Sequence, residues 1–86
     1  MKVQEDKKIK KQLKKIQPQV VNKYNKLVKA LKKEGLDANY DITKLLHDKS
    51  FYRVKLDYRH RVAILVEAGK ITVTKVSTRE NFGYTV

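Results

Sequence analysis

Cysteine is absent from the 86-residue sequence, so no disulfide or thiolate zinc site supports the fold, and a reducing compartment is compatible with it. The two histidines, His47 and His60, stand thirteen positions apart and form no HxxxH pattern. Neither a metal nor any other cofactor is expected. Long apolar runs are missing as well, since none approaches the roughly 18 residues of a membrane span, and charge rather than an apolar signal core follows Met1. The expectation is a soluble cytoplasmic protein with no membrane partner. Acids are scarce: nine face 21 lysines and arginines, for a formal charge of +12. Such an excess gathers polyanions at the surface and speeds their encounter, which makes nucleic acid or an acidic protein the natural counterpart. A chain this short forms one domain, residues 1–86, and buries only about 60 to 65 % of the surface its unfolded form exposes.

Proline occurs once, at Pro18, and it divides two helices. Ile9, Leu13 and Ile16 recur at helical spacing and predict a helix over 5–16, with Glu5 and Asp6 where the helix dipole favours acids. Pro18 disfavours helix at Gln17 and suits the first turn of the next helix. Val20, Val21, Tyr24, Leu27, Val28 and Leu31 give that helix its apolar face, and Gly35 caps it. The remaining faces are rich in lysine, the common pattern of a solvated helix surface. Residues 35–44, with Asp37, Asn39 and Asp41, read as a loop and as the expected mobile segment.

Three strands follow, at about 51–57, 61–67 and 71–77. Asp57-Tyr58-Arg59-His60 joins the first pair and Ala68-Gly69 the second, so both pairings are antiparallel. In Phe51-Tyr52-Arg53-Val54-Lys55-Leu56 the side chains alternate, which places Tyr52, Val54 and Leu56 on one sheet face and Arg53 and Lys55 on the other. Arg61 opens the second strand and Arg79 follows the third. Gathered together, these cations make a phosphate site. Residues 1–4 are a further edge-strand candidate, with Val3 their one good apolar side chain. The fold class is therefore α+β, a helix hairpin packed on a small antiparallel sheet in the order β-α-α-β-β-β.

That order, with Lys44-Leu45, Tyr52-Arg53-Val54-Lys55-Leu56, Arg61-Val62, Val76-Ser77-Thr78-Arg79 and the trailing Tyr84, resembles the RelE/ParE superfamily of toxins, and its RelE branch in particular. Departures are His47-Asp48-Lys49 where the family's loop holds glycine, Arg53 where lysine is common, and a polar first strand. The resemblance implies the toxin of a type II toxin-antitoxin system. It also implies a ribosome-dependent mRNA endonuclease in which a ribose 2′-hydroxyl attacks the neighbouring phosphate, with an acidic antitoxin, the ribosome and mRNA as partners. A gyrase-directed relative and a non-catalytic RNA-binding module are the alternatives.

The reaction needs a base at the 2′-oxygen, positive charge against the phosphorane and a proton donor for the leaving 5′-oxygen. Arg53 and Arg61 keep their charge and serve as electrostatic stabilisers. Lys55 is the candidate base, because crowding by like charge disfavours its protonated form. Arg79 is assigned to the scissile phosphate and leaving oxygen, and Tyr84 to stacking on a base. Lys7, Lys8, Lys11, Lys15, Arg59 and His60 are the expected contacts to RNA or ribosome. The residues leave open whether Lys55 or His60 acts as base, with His47 a weaker third choice.

Overall fold

A computed structural model describes residues 1–45 and 50–82. The elements are β1 (Lys2–Glu5), α1 (Ile9–Lys14), α2 (Pro18–Glu34), a short 3-10 turn (Gly35–Asp37), β2 (Ile42–Lys44), β3 (Phe51–Lys55), β4 (His60–Glu67), β5 (Lys70–Thr78) and α3 (Arg79–Phe82). Tyr84 and His47 lie outside the described residues. Among the described residues five strands form one sheet in the order β1-β5-β4-β3-β2.

Alternation decides which side chains face the helices. Val54 of β3, Val62 and Ile64 of β4, and Ile71 and Val73 of β5 are fully buried against Ile9, Tyr24, Leu27 and Leu31 of the helices. Burying apolar surface in this layer is the main favourable term for so small a chain. Helix α2 begins where the sequence requires, with Pro18 at its first position and Gln17 extended at φ −61° and ψ 146°. It ends at Gly35, whose N–H donates to the Leu31 carbonyl. The backbone there has φ +61°, and a Cβ at this position would meet the Met1 Sδ at 2.9 Å. The positive φ calls for glycine, whereas the flexible Met1 side chain could swing aside.

The structure adds to the expected arrangement in three places. Lys2–Glu5 does pair, and it pairs parallel to β5, with Val3 beside Ile71. This draws Glu5 out of the predicted helix, where its carboxylate accepts a short hydrogen bond from the buried Tyr24 hydroxyl. Burial first, and then that bond, push the Tyr24 phenol above its ordinary range. Helix α1 is correspondingly short, and Asp6 starts it by accepting the Ile9 N–H at its carbonyl, 3.0 Å, and the Lys8 N–H at its carboxylate, 3.2 Å. Where β1 stops, α1 continues the cover of β5: Gln12 Oε1 accepts the Val76 N–H at 2.7 Å. Finally, the segment 35–44 is not loop throughout. Ile42–Lys44 pairs antiparallel with β3 as the outer strand, Thr43 beside Arg53.

A β-bulge interrupts β5. Ala63 of β4 pairs with Lys75 and Ile64 with Val73, so Thr74 has no partner across the ladder. The extra residue reverses the phase of everything after it. At the other end of these strands the two-residue turn uses Ala68 at φ 49° and Gly69 at φ 75°, the positive values that a tight antiparallel hairpin requires.

Candidate functional site

The sheet face turned away from α1 and α2 carries the cations. Lys55 lies directly across from Arg61, and Arg53, two residues back on the same face, lies across from Ala63. On the next strand Arg61 faces Ser77 and Ala63 faces Lys75. Strict alternation from Ile71 and Val73 would bury Lys75; the bulge turns it outward. The warning was present in the apolar spacing, which runs 71, 73, 76 instead of continuing by twos. Lys75 donates to the Phe82 carbonyl at 2.5 Å and its Nζ stands 5.4 Å from the Phe82 ring centre, tying α3 to this face. Among the described residues no carboxylate is within ion-pair distance of Arg53 or Lys55.

The cations here differ in burial. Lys55 is exposed and Arg53 half-buried, whereas Arg61 is only 9 % exposed. Its Nη1 donates to the carbonyls of Asp57, Tyr58 and His60 at 2.6, 3.2 and 3.0 Å. Arg61 is therefore first a brace for the β3–β4 turn. Arg79 stands beyond Ser77, toward that turn: its N–H donates to the Arg59 carbonyl at 2.6 Å, and its exposed guanidinium lies 5.0 Å from the Tyr58 ring centre.

Asp57 organises the same turn. Its Oδ1 accepts the N–H groups of Arg59 and His60 at 2.9 and 2.8 Å and contacts His60 Nδ1 at 3.0 Å. Its Oδ2 lies 3.2 Å from Lys23 Nζ on α2. Desolvation of the carboxyl opposes ionisation, but the bonds from His60, Lys23 and the two amides outweigh it and bring its pKa down to about 2. An aspartate opening a turn and bonding the amides that follow is a recognisable local pattern, so Asp57 was within reach of the sequence. Because the folded-state pKa lies below the unfolded one, this stabilisation is complete above about pH 4 and is lost as pH falls toward 2. Unfolding in urea is expected to lose on the order of 1 to 2 kcal/mol across that window, and Asp57→Asn to flatten that part of the profile.

His60 pairs with Thr78 and shares its side of the sheet with Val62 and Ile64. Its ring consequently faces the helices, away from Lys55, and lines three adjoining clefts of about 330, 290 and 220 Å³ between the α1–α2 link and the β3–β4 turn. Lys15 and Arg59 border these clefts; Lys7, Lys8 and Lys11 are exposed and do not. The predicted site residues thus divide into two groups: Arg53, Lys55 and Arg61 on the outer face, and Lys15, Arg59 and His60 on the helix side, with Arg79 at the sheet end between them. Among the described residues no three histidine, aspartate or glutamate side chains converge as a metal site would require.

No protein-family model matches the chain, and no curated protein matches it by sequence. Solved structures do match its backbone. The RelB-RelE antitoxin-toxin complex from Methanococcus jannaschii superimposes with a TM-score of 0.79 at 19 % identity, over 88 % of this chain and 89 % of that one. The archaeal RelE-RelB complex from Pyrococcus horikoshii OT3 gives 0.79 at 22 % identity, over 93 % and 96 %. This chain has the RelE toxin fold. The YoeB dimer from Staphylococcus aureus gives 0.71 at 18 % identity, over 90 % and 94 %. At these identities it is the backbone that is shared, and what the RelE fold does in this chain must be argued from the side chains it carries.

Proposed function

We propose that this chain is the toxin of a type II toxin-antitoxin pair and that it cuts mRNA on the ribosome with the outer face of its sheet. The observation that carries this reading is the placement of Lys55 directly across from Arg61, with Arg53 on the same face. Fixed positive charge is what a phosphorane needs. The neutral amine of Lys55 takes the proton of a ribose 2′-hydroxyl and later passes it to solvent; the 2′-oxygen attacks the adjacent phosphorus; the bond to the 5′-oxygen breaks, and that oxygen takes a proton from water as it leaves. The products are a 2′,3′-cyclic phosphate and a 5′-hydroxyl. Arg53 and Arg61 oppose the growing charge, Arg79 approaches the leaving oxygen from the sheet end, and Tyr84 stacks on a base. No cofactor takes part.

His60 is the weaker choice of base because its ring lies on the other side of the sheet. The exposed lysines Lys7, Lys8 and Lys11 add attraction toward ribosomal RNA. An acidic, partly disordered antitoxin segment suits a surface of this charge, and the two archaeal neighbours are themselves toxin-antitoxin complexes. The working place of such a protein is the cytoplasm. Lys55→Arg tests the assignment of the base, because arginine keeps the charge but does not give up its proton. Single-turnover cleavage on programmed ribosomes is expected to fall about 100-fold, and a fully active variant would remove Lys55 from that role.

A further inference from the structure

We propose that the clefts between the α1–α2 link and the β3–β4 turn form a second RNA site, which seats a phosphate among Lys15, Arg59 and His60 and a base against Tyr58. It lies across the sheet from Arg53 and Lys55. The inference takes from the proposed function only that RNA is the polyanion.

Space comes first. The two larger volumes, about 330 and 290 Å³, share Gln17, Arg59 and His60, and each is near the lower end of ligand-site sizes, about 300 Å³. Charge comes second. Lys15, Lys23, Arg59 and the protonatable His60 border the space, and the one acid among its lining residues is Asp57. That carboxylate is already engaged: one oxygen holds two amides and the His60 ring, and the other holds Lys23. Within the lining a phosphate meets cations and no unshielded carboxylate; outside it, exposed Glu80 interacts with Arg59 and Arg79 and is the acid that a phosphate on Arg59 must displace.

Orientation is the third element. Since Asp57 accepts from Nδ1, the proton of a neutral His60 ring resides on Nδ1, and Nε2 is the nitrogen left to meet a ligand. The fourth is Tyr58, which is 70 % exposed and contributes nothing to the core. With the Arg79 guanidinium 5.0 Å from its ring centre, it offers a flat aromatic and cationic surface of the kind on which unpaired bases stack. Gln17 and Gln19, bonded to each other at 2.8 Å, supply amide groups along the wall between phosphate and base.

The test uses the full chain free of ribosomes and a single-stranded uridine tetranucleotide, with binding followed by NMR of the His60 and Tyr58 rings. Saturable shifts at both rings are expected. Tyr58→Ala should weaken binding about 5- to 150-fold, the range for losing one stacked base, and Tyr58→Phe should restore it. Lys15→Ala with Arg59→Ala should weaken binding far more than Lys26→Ala with Lys29→Ala, which removes equal charge from exposed positions of α2 outside the cleft. Inorganic phosphate should bind more weakly than the tetranucleotide and leave Tyr58 unmoved. Lys55→Ala should abolish cleavage on ribosomes yet keep these shifts, so failure of the cleavage reading and failure of this site are separate results. Equal losses from the two lysine and arginine pairs, no effect of Tyr58→Ala, or phosphate acting as well as RNA would each overturn the proposal.

Discussion

Arg79→Ala is expected to slow single-turnover cleavage of ribosome-bound mRNA by about 100- to 1000-fold, the range for removing one preorganised charge from a transition state. The fold should be untouched. The Arg79 side chain is exposed, among the described residues it stacks on Tyr58 and lies within electrostatic reach of Glu80, and the bond it makes to Arg59 runs through the backbone N–H, which alanine keeps. Its neighbour Glu80 is held below the usual carboxylate range, first by its own backbone N–H and then by the charges of Arg59 and Arg79, so the carboxylate should move slightly upward in the variant. Unfolding midpoints of the two proteins should agree within about 0.5 kcal/mol, and Arg79→Lys should recover part of the rate. A variant that cuts within threefold of the parent would exclude Arg79 from the reaction.

Arg61→Ala should behave in the opposite way, destabilising the protein by about 2 to 4 kcal/mol. One guanidinium nitrogen serves three carbonyls of the β3–β4 turn from a side chain that is 9 % exposed, and each charged hydrogen bond of this kind contributes about 1.5 to 3 kcal/mol before the turn relaxes. The denaturant midpoint should fall with little change in slope. Loss of activity in this variant must then be divided between unfolding and lost charge, by measuring rate against folded fraction. An Arg61→Ala protein as stable as the parent would mean that the turn does not depend on this brace.

Much of the fold was legible because it rests on periodicity. The spacing of Val20, Tyr24, Leu27 and Leu31 gave α2, and the alternation through Tyr52, Val54 and Leu56 fixed which cations of β3 share a face. What escaped depends on partners rather than on local pattern. Ile42–Lys44 becomes a strand only because β3 lies beside it, and the polar Lys2–Glu5 only because β5 has an open edge. The same limit applies at the site. Alternation placed Arg53 and Lys55 together, but nothing local told that Arg61 turns back toward the carbonyls of its own turn. His60 looked like a neighbour of Lys55 in sequence, yet one residue of strand phase separates the two faces of a sheet. Lys75 reached the outer face through a bulge that only the paired strand defines.

In the proposed reaction the ribosome aligns the 2′-oxygen with the phosphate, an alignment that can supply several kcal/mol, so cutting depends on the ribosome. Mapping the ends of one mRNA after incubation with the purified chain, once naked and once on translating ribosomes, tests it directly. New ends bearing 2′,3′-cyclic phosphate are expected on ribosomes, with their loss in Lys55→Ala and almost no cutting of the naked strand. Intact messenger on ribosomes, or naked RNA cut as fast as ribosome-bound messenger, would contradict it.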